Sequence, residues 1–376
     1  MDLVSRLALA ANRAGYGLVC RLAPTQGASP EVETVAGWEA LASRLENDSN
    51  PCTIASTELL AEAGWLKALL GCKPGLAAWA AAGDRLAVIT PASLQAALSA
   101  LADARAGTMA AAVEVLTRKF DPPGPLPKGV DPMAVTSPGD EREAERRLMR
   151  ALVKDTDGFM AKHVERPISL AISRLLAATW LTANQMTLFS VAVGLLGAPF
   201  FLASSPIWQT IGALLFLAHS ILDGCDGELA RLKFQESRWG GILDFWGDNV
   251  VHSAIFACMA IGWSAAAGSS WPLLPGAAAV LGTLGSASFV YWRTMRAKRG
   301  HGPLYTSVST AERRTARLLD ALSRRDFIYL VLALSLFGRA DWFLILAALG
   351  APIFFAMLVY LAASERPAGA AKPRKA

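Results

Sequence analysis

Four aspartates fall in one short run, DGCDGELARLKFQESRWGGILDFWGD, between residues 223 and 248. Asp223, Asp226, Asp244 and Asp248 stand at the junction of two apolar stretches, where an ionised carboxylate is costly unless it is paired or metal-bound. Asp223 and Asp226 are three apart and Asp244 and Asp248 four apart, so on two helices each pair shares a face, one turn between carboxylates. Oxygen donors without a Cys/His ligand set favour Mg2+ or Mn2+ over zinc, and two such ions form the usual clamp for in-line displacement at phosphorus. Gly227, Ala230 and Gly240 lie on the same faces and would let a pyrophosphate and its base approach the backbone. Arg231 would neutralise phosphate charge. The cluster therefore points to nucleotide-diphosphate chemistry, against the plainer alternative of a proton relay, which does not require the interleaved Gly, Ala and Arg. His219 and His252 flank the run and are expected to be hydrogen-bonded helix residues, since hard oxygen sites rarely need imidazole. Cys225 needs no covalent role, because direct in-line transfer uses no protein nucleophile.

The pattern Asp-x2-Asp-Gly-x2-Ala-Arg-x8-Gly-x3-Asp-x3-Asp resembles the signature of the CDP-alcohol phosphotransferases, with all eight defining positions present. The resemblance covers about residues 150–365. It implies a membrane enzyme of six transmembrane helices that transfers the phosphoalcohol part of a CDP-alcohol donor to an acceptor hydroxyl and releases CMP, working as a homodimer. Position by position, it assigns Asp223, Asp226, Asp244 and Asp248 to two Mg2+ or Mn2+ ions and gives Asp248 the proton of the attacking hydroxyl. It assigns Gly227, Ala230, Arg231 and Gly240 to the nucleotide.

Of the 376 residues 53% are hydrophobic and 18% charged, and the apolar runs concentrate after residue 185. A bilayer crossing needs about 17–25 residues, which predicts spans near 186–204, 207–223, 245–265, 273–292, 326–340 and 342–363. The fifth is marginal, because its apolar part runs only from Phe327 to Gly338 and covers roughly 20 Å. The resemblance, with its six spans, favours counting it. Arg293, Arg296, Lys298, Arg299, Arg313, Arg314, Arg317, Arg324 and Arg325 crowd the connection 293–325, whereas the loops at 205–206 and 264–271 carry no charge. By the positive-inside tendency, the basic connection, the aspartates and both termini are cytoplasmic, in a multi-pass protein expected in a bacterial inner membrane. The net charge of +5 then reads as topology and attraction to anionic lipid, not as a nucleic-acid footprint. Cys20, Cys52, Cys72, Cys225 and Cys258 show no C-x-x-C pairing and are expected as thiols. Met1 is followed by Asp2 and a helix-like pattern, so no secretory signal is expected.

Residues 1–150 form a cytosolic α/β domain by the alternation of β-rich runs with helical ones. Strands are expected at Tyr16–Leu22, Cys52–Ser56, Arg85–Thr90 and Met109–Leu116, and helices at Leu3–Ala14, Val35–Leu45, Glu58–Leu70 and Ala92–Ala106. A Pro/Gly-rich stretch from Asp121 to Pro138 leads into a charged helix, Asp140–Val153. This half resembles an eroded nucleotidyltransferase domain of the kind fused ahead of some CDP-alcohol phosphotransferases. It lacks a strand followed by a Gly-rich phosphate loop, which makes it non-catalytic by expectation.

Residues 151–185 form a juxtamembrane amphipathic linker with Ile168, Ile172, Leu175 and Leu176 on one face, expected along the interface. Thr182-Ala-Asn-Gln-Met-Thr187 is similar to the family's Pro-Asn-x-x-Thr helix start, with Ala183 in place of proline. The resemblance implies that Asn184 and Thr187 cap the helix and touch the nucleotide. Residues 186–365 form the six-helix catalytic domain, and 366–376 a basic disordered tail. Arg293 and Arg296, which end the fourth span, are candidates to bind a phosphorylated acceptor, against a purely topological role. The expected partners are the membrane, a CDP-alcohol donor, a lipid or phospho-polyol acceptor and a second copy of the chain, with no nucleic acid. A transporter or scaffold that retains the fold without turnover is the competing reading.

Overall fold

The computed structural model describes residues 3–22, 32–46, 52–71, 79–81, 86–89, 94–119, 132–153, 160–295 and 327–364. The chain divides into two compact units, Met1–Arg150 and Ala151–Ala376. Arg296, Cys72, most of the basic connection and the tail 366–376 lie outside the described residues.

In the first unit helices α1 (Leu3–Ala14), α2 (Trp38–Arg44), α3 (Ala63–Gly71), α4 (Leu94–Asp103) and α5 (Met109–Lys119) alternate with short strands. The strands make three small sheets: β1 (Cys20–Leu22) parallel to β2 (Glu33–Val35), β3 (Cys52–Ala55), β5 (Trp79–Ala81) and β6 (Leu86–Ile89) antiparallel in the order β3-β6-β5, and β4 (Leu59–Leu60) antiparallel to β7 (Met133–Ala134). Leu41, Leu94, Leu98, Leu101, Val113 and Leu116 fill the core between helices and strands. The run Met109–Leu116 is a helix, not the expected strand. Its three consecutive alanines favour helix, Ala112, Val113 and Leu116 recur on one buried face, and the Thr108 hydroxyl accepts from the Ala111 N–H at 3.3 Å. Helix α6 (Pro138–Leu152) starts on a reciprocal cap, in which Ser137 Oγ accepts from the Asp140 N–H and Asp140 accepts from the N–H groups of Thr136 and Ser137. The N–H of Thr136 is the first of several donors that hold the Asp140 carboxyl below its ordinary range.

The second unit is helical throughout its described residues. A π-helical turn, Ala161–Glu165, runs into α7 (Arg166–Ala177), and α8 (Ala183–Gly197) continues as a 3-10 turn, Ala198–Leu202. Then come α9 (Pro206–Leu232), α10 (Arg238–Ala267), α11 (Leu273–Val290), α12 (Phe327–Leu336) and α13 (Ala340–Ser364). Five of these helical segments are long and apolar enough to cross a membrane: Ala183–Leu202, Pro206–Leu232, Arg238–Ala267, Leu273–Arg293 and Ala340–Tyr360.

Exposed tryptophans mark both ends of the bundle: Trp180, Trp239 and Trp292 at one, Trp208, Trp271 and Trp342 at the other. Two such rims are the signature of helices whose ends sit at the two membrane interfaces. The core between them is built by Phe201, Phe216, Val251, Ile255, Met259, Val331, Phe343 and Leu344. Backbones approach closely: a Cβ on Gly194 would fall 2.6 Å from Val251, and one on Gly282 would fall 2.6 Å from the Pro352 backbone nitrogen.

Two expectations about the spans change. Helices α9 and α10 do not stop at the aspartates. They extend to Leu232 and start at Arg238, so the acids lie within the spanning helices and not at their junction. A hydropathy window ends a span at its first charges, whereas the backbone has no reason to break before the turn at 233–237. The fifth expected span, 326–340, contains a helix of ten residues, about 15 Å long, stopped by Gly338 at φ +68°. Its first residue, Phe327, packs on Phe216 and His252 in mid-bundle. Its far end is tied to the start of α9, where Thr210 donates to the Ser335 carbonyl and Gln209 accepts from the Ala340 N–H.

Candidate active site

The turn between α9 and α10 is short and closed at both ends. Phe234 takes a left-handed conformation (φ +56°), which lets the Gln235 N–H reach back to the Ala230 carbonyl at 2.8 Å. Ser237 caps α10 by accepting from the Gly240 N–H at 3.0 Å. The same turn anchors the start of α8: Lys233 Nζ donates to the carbonyls of Thr179 and Leu181 at 2.8 and 2.7 Å, and Gln235 accepts from the Ala183 N–H at 3.0 Å. Burial lowers the Lys233 ammonium from its ordinary value. Three helix ends thus meet at one place.

On the bundle side of this turn Asp223 and Asp226 of α9 meet Asp244 of α10. One carboxylate oxygen from each lies within 4.8 Å of the other two, and Asp223 and Asp226 are 6% exposed. Asp244 is five residues, about 8 Å, further into the bundle than the exposed Trp239. Three carboxylates gathered on the inner side of a membrane rim repel one another and call for positive charge between them. An all-oxygen donor set at this spacing fits a hard divalent cation such as Mg2+ or Mn2+. Asp248, one turn further along α10, stands outside this triad but within electrostatic range of Asp226 and Asp244. Its Oδ1 faces His219 Nε2 at 3.4 Å. His219 Nδ1 is 2.9 Å from the Ser190 carbonyl, which only accepts, so that bond fixes the ring with Nε2 toward Asp248.

Thr187 shares its hydroxyl proton between the Ala183 carbonyl and Asp226 Oδ2, which holds that carboxylate in place. The cap of α8 belongs to Thr182, paired reciprocally with Gln185, and not to Asn184 or Thr187 as expected. With alanine at 183 in place of proline, the Thr-x-x-Gln capping box supplies the helix start. Asn184 is exposed and sits against Gly240, where a Cβ would fall 2.7 Å from Asn184 Oδ1. A Cβ on Gly227 would meet only Arg231 Nη1, at 3.5 Å, among the described residues, so this face of α9 is open beside the acids. Arg231 donates to the Leu152 carbonyl at 3.4 Å, and Ala230 is half-buried. Arg293 lies exposed in a π-helical turn, Tyr291–Met295, after α11; its companion Arg296 falls outside the described residues. His252 packs edge-on against Phe216 and Phe327, as a core residue.

The expected apolar face of helix α7 is divided. Ile172 and Leu176 pack with the buried Ser169 and Ser173 against α9, while Ile168 and Leu175 are exposed. Sequence reasoning missed the residues that hold it there. Glu228, fully buried, accepts from Arg166 Nη1 and from Ser169 Oγ, each at 2.7 Å, and Glu165 accepts from Ser220 at 3.3 Å. Glu228 occupies an unspecified position of the aspartate motif. Its signal was a fifth carboxylate in a membrane helix, two residues past Asp226 and so roughly 200° around from it, demanding a cation on the other side.

Residues 180–365 match the family model described as CDP-alcohol phosphatidyltransferase. These residues form a domain of that family. Among curated proteins, a bifunctional IPC transferase and DIPP synthase from Thermococcus kodakarensis is 39% identical over 127 residues, 34% of this chain and 28% of that protein. An archaetidylinositol phosphate synthase from Pyrococcus horikoshii is 29% identical over 99 residues, 26% of this chain and 50% of that protein. The chain thus spans half or less of the length of these relatives. Among solved structures, the Mycobacterium tuberculosis phosphatidylinositol phosphate synthase with CDP-DAG bound aligns with 53% of this chain and 94% of its own, at 17% identity and a TM-score of 0.38. The family match takes in α8 to α13 and every aspartate of the cluster.

Proposed function

We propose that this chain, through its domain of the CDP-alcohol phosphatidyltransferase family, catalyses the divalent-cation-dependent transfer of a phosphoalcohol from a CDP-alcohol to an acceptor hydroxyl, releasing CMP. The convergence of Asp223, Asp226 and Asp244 within 4.8 Å, inside the matched family region, carries this reading. Those three residues would hold one cation, and Asp248 would complete the donors for a second. Bound there, Mg2+ or Mn2+ neutralises the pyrophosphate and the departing CMP.

The residues of the chain divide the remaining work. Thr187 keeps Asp226 aimed at the centre, and the open face at Gly227 and Ala230 admits the nucleotide. Arg231 offsets phosphate charge, and Asn184 with Gly240 borders the base. Asp248, whose Oδ1 lies 3.4 Å from His219 Nε2, accepts the proton of the attacking hydroxyl. Positioning and electrostatics carry most of the rate for such a transfer. Arg293 and Arg296 would receive a phosphorylated acceptor. The archaetidylinositol phosphate synthase among the relatives makes an inositol phosphate the first acceptor to try.

We further infer a homodimer of six-span protomers, with α12 as the short member of the fifth pass. The site and both termini would face the cytoplasm of a bacterial inner membrane. The first unit is non-catalytic in this reading. It does hold a cavity of about 1510 Å3, lined by Tyr16, Arg21, Thr53 and Arg105 among others, and tight CTP binding there would overturn that assignment.

The test is CMP release by purified protein with CDP-diacylglycerol or CDP-polyol donors, polyol phosphate or lipid acceptors, and Mg2+ or Mn2+. Release that disappears in Asp248→Asn supports the enzyme. No release from any pair removes this reading and leaves the transporter or scaffold.

A further inference from the structure

The back of α9 carries a polar seam that the transfer reaction does not use directly. Glu165 and Arg166 stand at the point where the π-helical turn becomes α7, and each is bonded to α9: Glu165 to Ser220, Arg166 to Glu228. Ser169 adds a second donor to the same Glu228 oxygen, and Ser173 faces the Cys225 carbonyl at 3.5 Å. The helices can come this close because Gly224 faces them: a Cβ there would lie 3.5 Å from Arg166 Nη1 and 3.6 Å from Ser169. Ser220, Gly224, Cys225 and Glu228 therefore bind α7 on one side of α9, while Asp223 and Asp226 face α10 on another. The Arg166–Glu228 pair is 14% and 0% exposed, so Glu228 is shielded from water and Arg166 largely so.

We propose that Arg166 and Glu228 are positioning residues for the reaction: their buried ion pair locks α7 to α9 and thereby sets the rotation and depth at which α9 presents Asp223 and Asp226 to the cations. The inference rests on the proposed transfer reaction. It extends that reaction to a pair outside the specified motif positions. Residues that hold a metal's ligands from behind, when lost, commonly cost about 10–100-fold in metal affinity or activity.

The test uses the full-length protein in detergent or bilayer discs. Glu228→Gln keeps the shape and both donors' acceptor but removes the charge, and Arg166→Met/Glu228→Gln strands neither charge, so folding is preserved in at least one variant. Both are expected to raise the Mg2+ concentration for half-maximal CMP release about 10–100-fold, with a smaller change in the KM for the acceptor. Arg166→Lys, which keeps the cation, should recover most of the loss. A second readout needs no turnover. Cys225 is fully buried with its Sγ 3.5 Å from the Ser169 carbonyl, so loosening α7 should raise its labelling by N-ethylmaleimide, measured by peptide mass. Unchanged Mg2+ dependence together with unchanged Cys225 labelling overturns the proposal, even if the variants melt earlier. Wild-type protein that releases no CMP sinks the transfer reading instead, and the labelling arm then decides whether the lock exists.

Discussion

Helix α9 buries carboxylates on two faces, and the faces treat them in opposite ways. On the back, Glu228 and Glu165 each have a neutral or cationic donor within hydrogen-bond distance. On the front, Asp226 keeps a neutral donor, Thr187, but Asp223 and Asp226 are gathered with Asp244, a third carboxylate. A membrane helix tolerates an acid when it is paired, so the back face stabilises the bundle and the front face stores repulsion that a ligand must relieve. Identical chemistry two residues apart thus separates a fastening from a site.

The comparison breaks most visibly if both faces respond alike to charge removal. Asp226→Asn should lower CMP release on the order of 10²–10³-fold, the scale of losing one fixed electrostatic group at a reacting centre, while cation-free protein unfolds at the same temperature or higher. Arg166→Met should do the reverse to stability, costing about 3–5 kcal/mol by leaving Glu228 charged and unpaired, read from thermal or denaturant unfolding. Loss of stability in Asp226→Asn equal to that in Arg166→Met would erase the distinction.

Cations sharpen it further. Mg2+ or Mn2+ at about 100 times its dissociation constant should stabilise the wild type by ~2.7 kcal/mol and leave Asp226→Asn nearly unmoved, and EDTA should reverse the shift. Thr187→Val should weaken activity by about 1.5–3 kcal/mol equivalent, the range for a hydrogen bond to a charged group. The smallest effect belongs to the turn that fixes both faces: Phe234→Gly relieves a left-handed side-chain conformation and should raise stability by ~1 kcal/mol, measured by unfolding.

Much of this was legible in the residues alone. The three-and-four spacing of the acids placed them on two helix faces, and the eight-position motif pointed to the family before any contact was known. The α-helix over Met109–Leu116 was misread because a short apolar run carries strand-like valines and helix-like alanines together, and only its packing chose between them. Helix α7 was read by its apolar stripe, yet the stripe is divided: Ile172 and Leu176 pack on protein beside Ser169 and Ser173, and Ile168 and Leu175 do not. Next to a membrane, an apolar face is content with lipid, so amphipathicity says that a helix has two sides and not which side meets the bundle.

What the order of residues determined by itself was local: which residues recur on one helical face, where capping boxes and turns can form, and that four aspartates beside apolar runs would need partners. The tertiary structure decided which partner each acid received. Glu228 met Arg166, 62 positions away, Asp248 met His219, and Asp223 and Asp226 met a further aspartate across the bundle. The physical reason is that burial energy attaches to the environment, not to the residue. The same ionised side chain becomes a fastening or a cation site according to what the neighbouring helices bring within 3 to 5 Å of it.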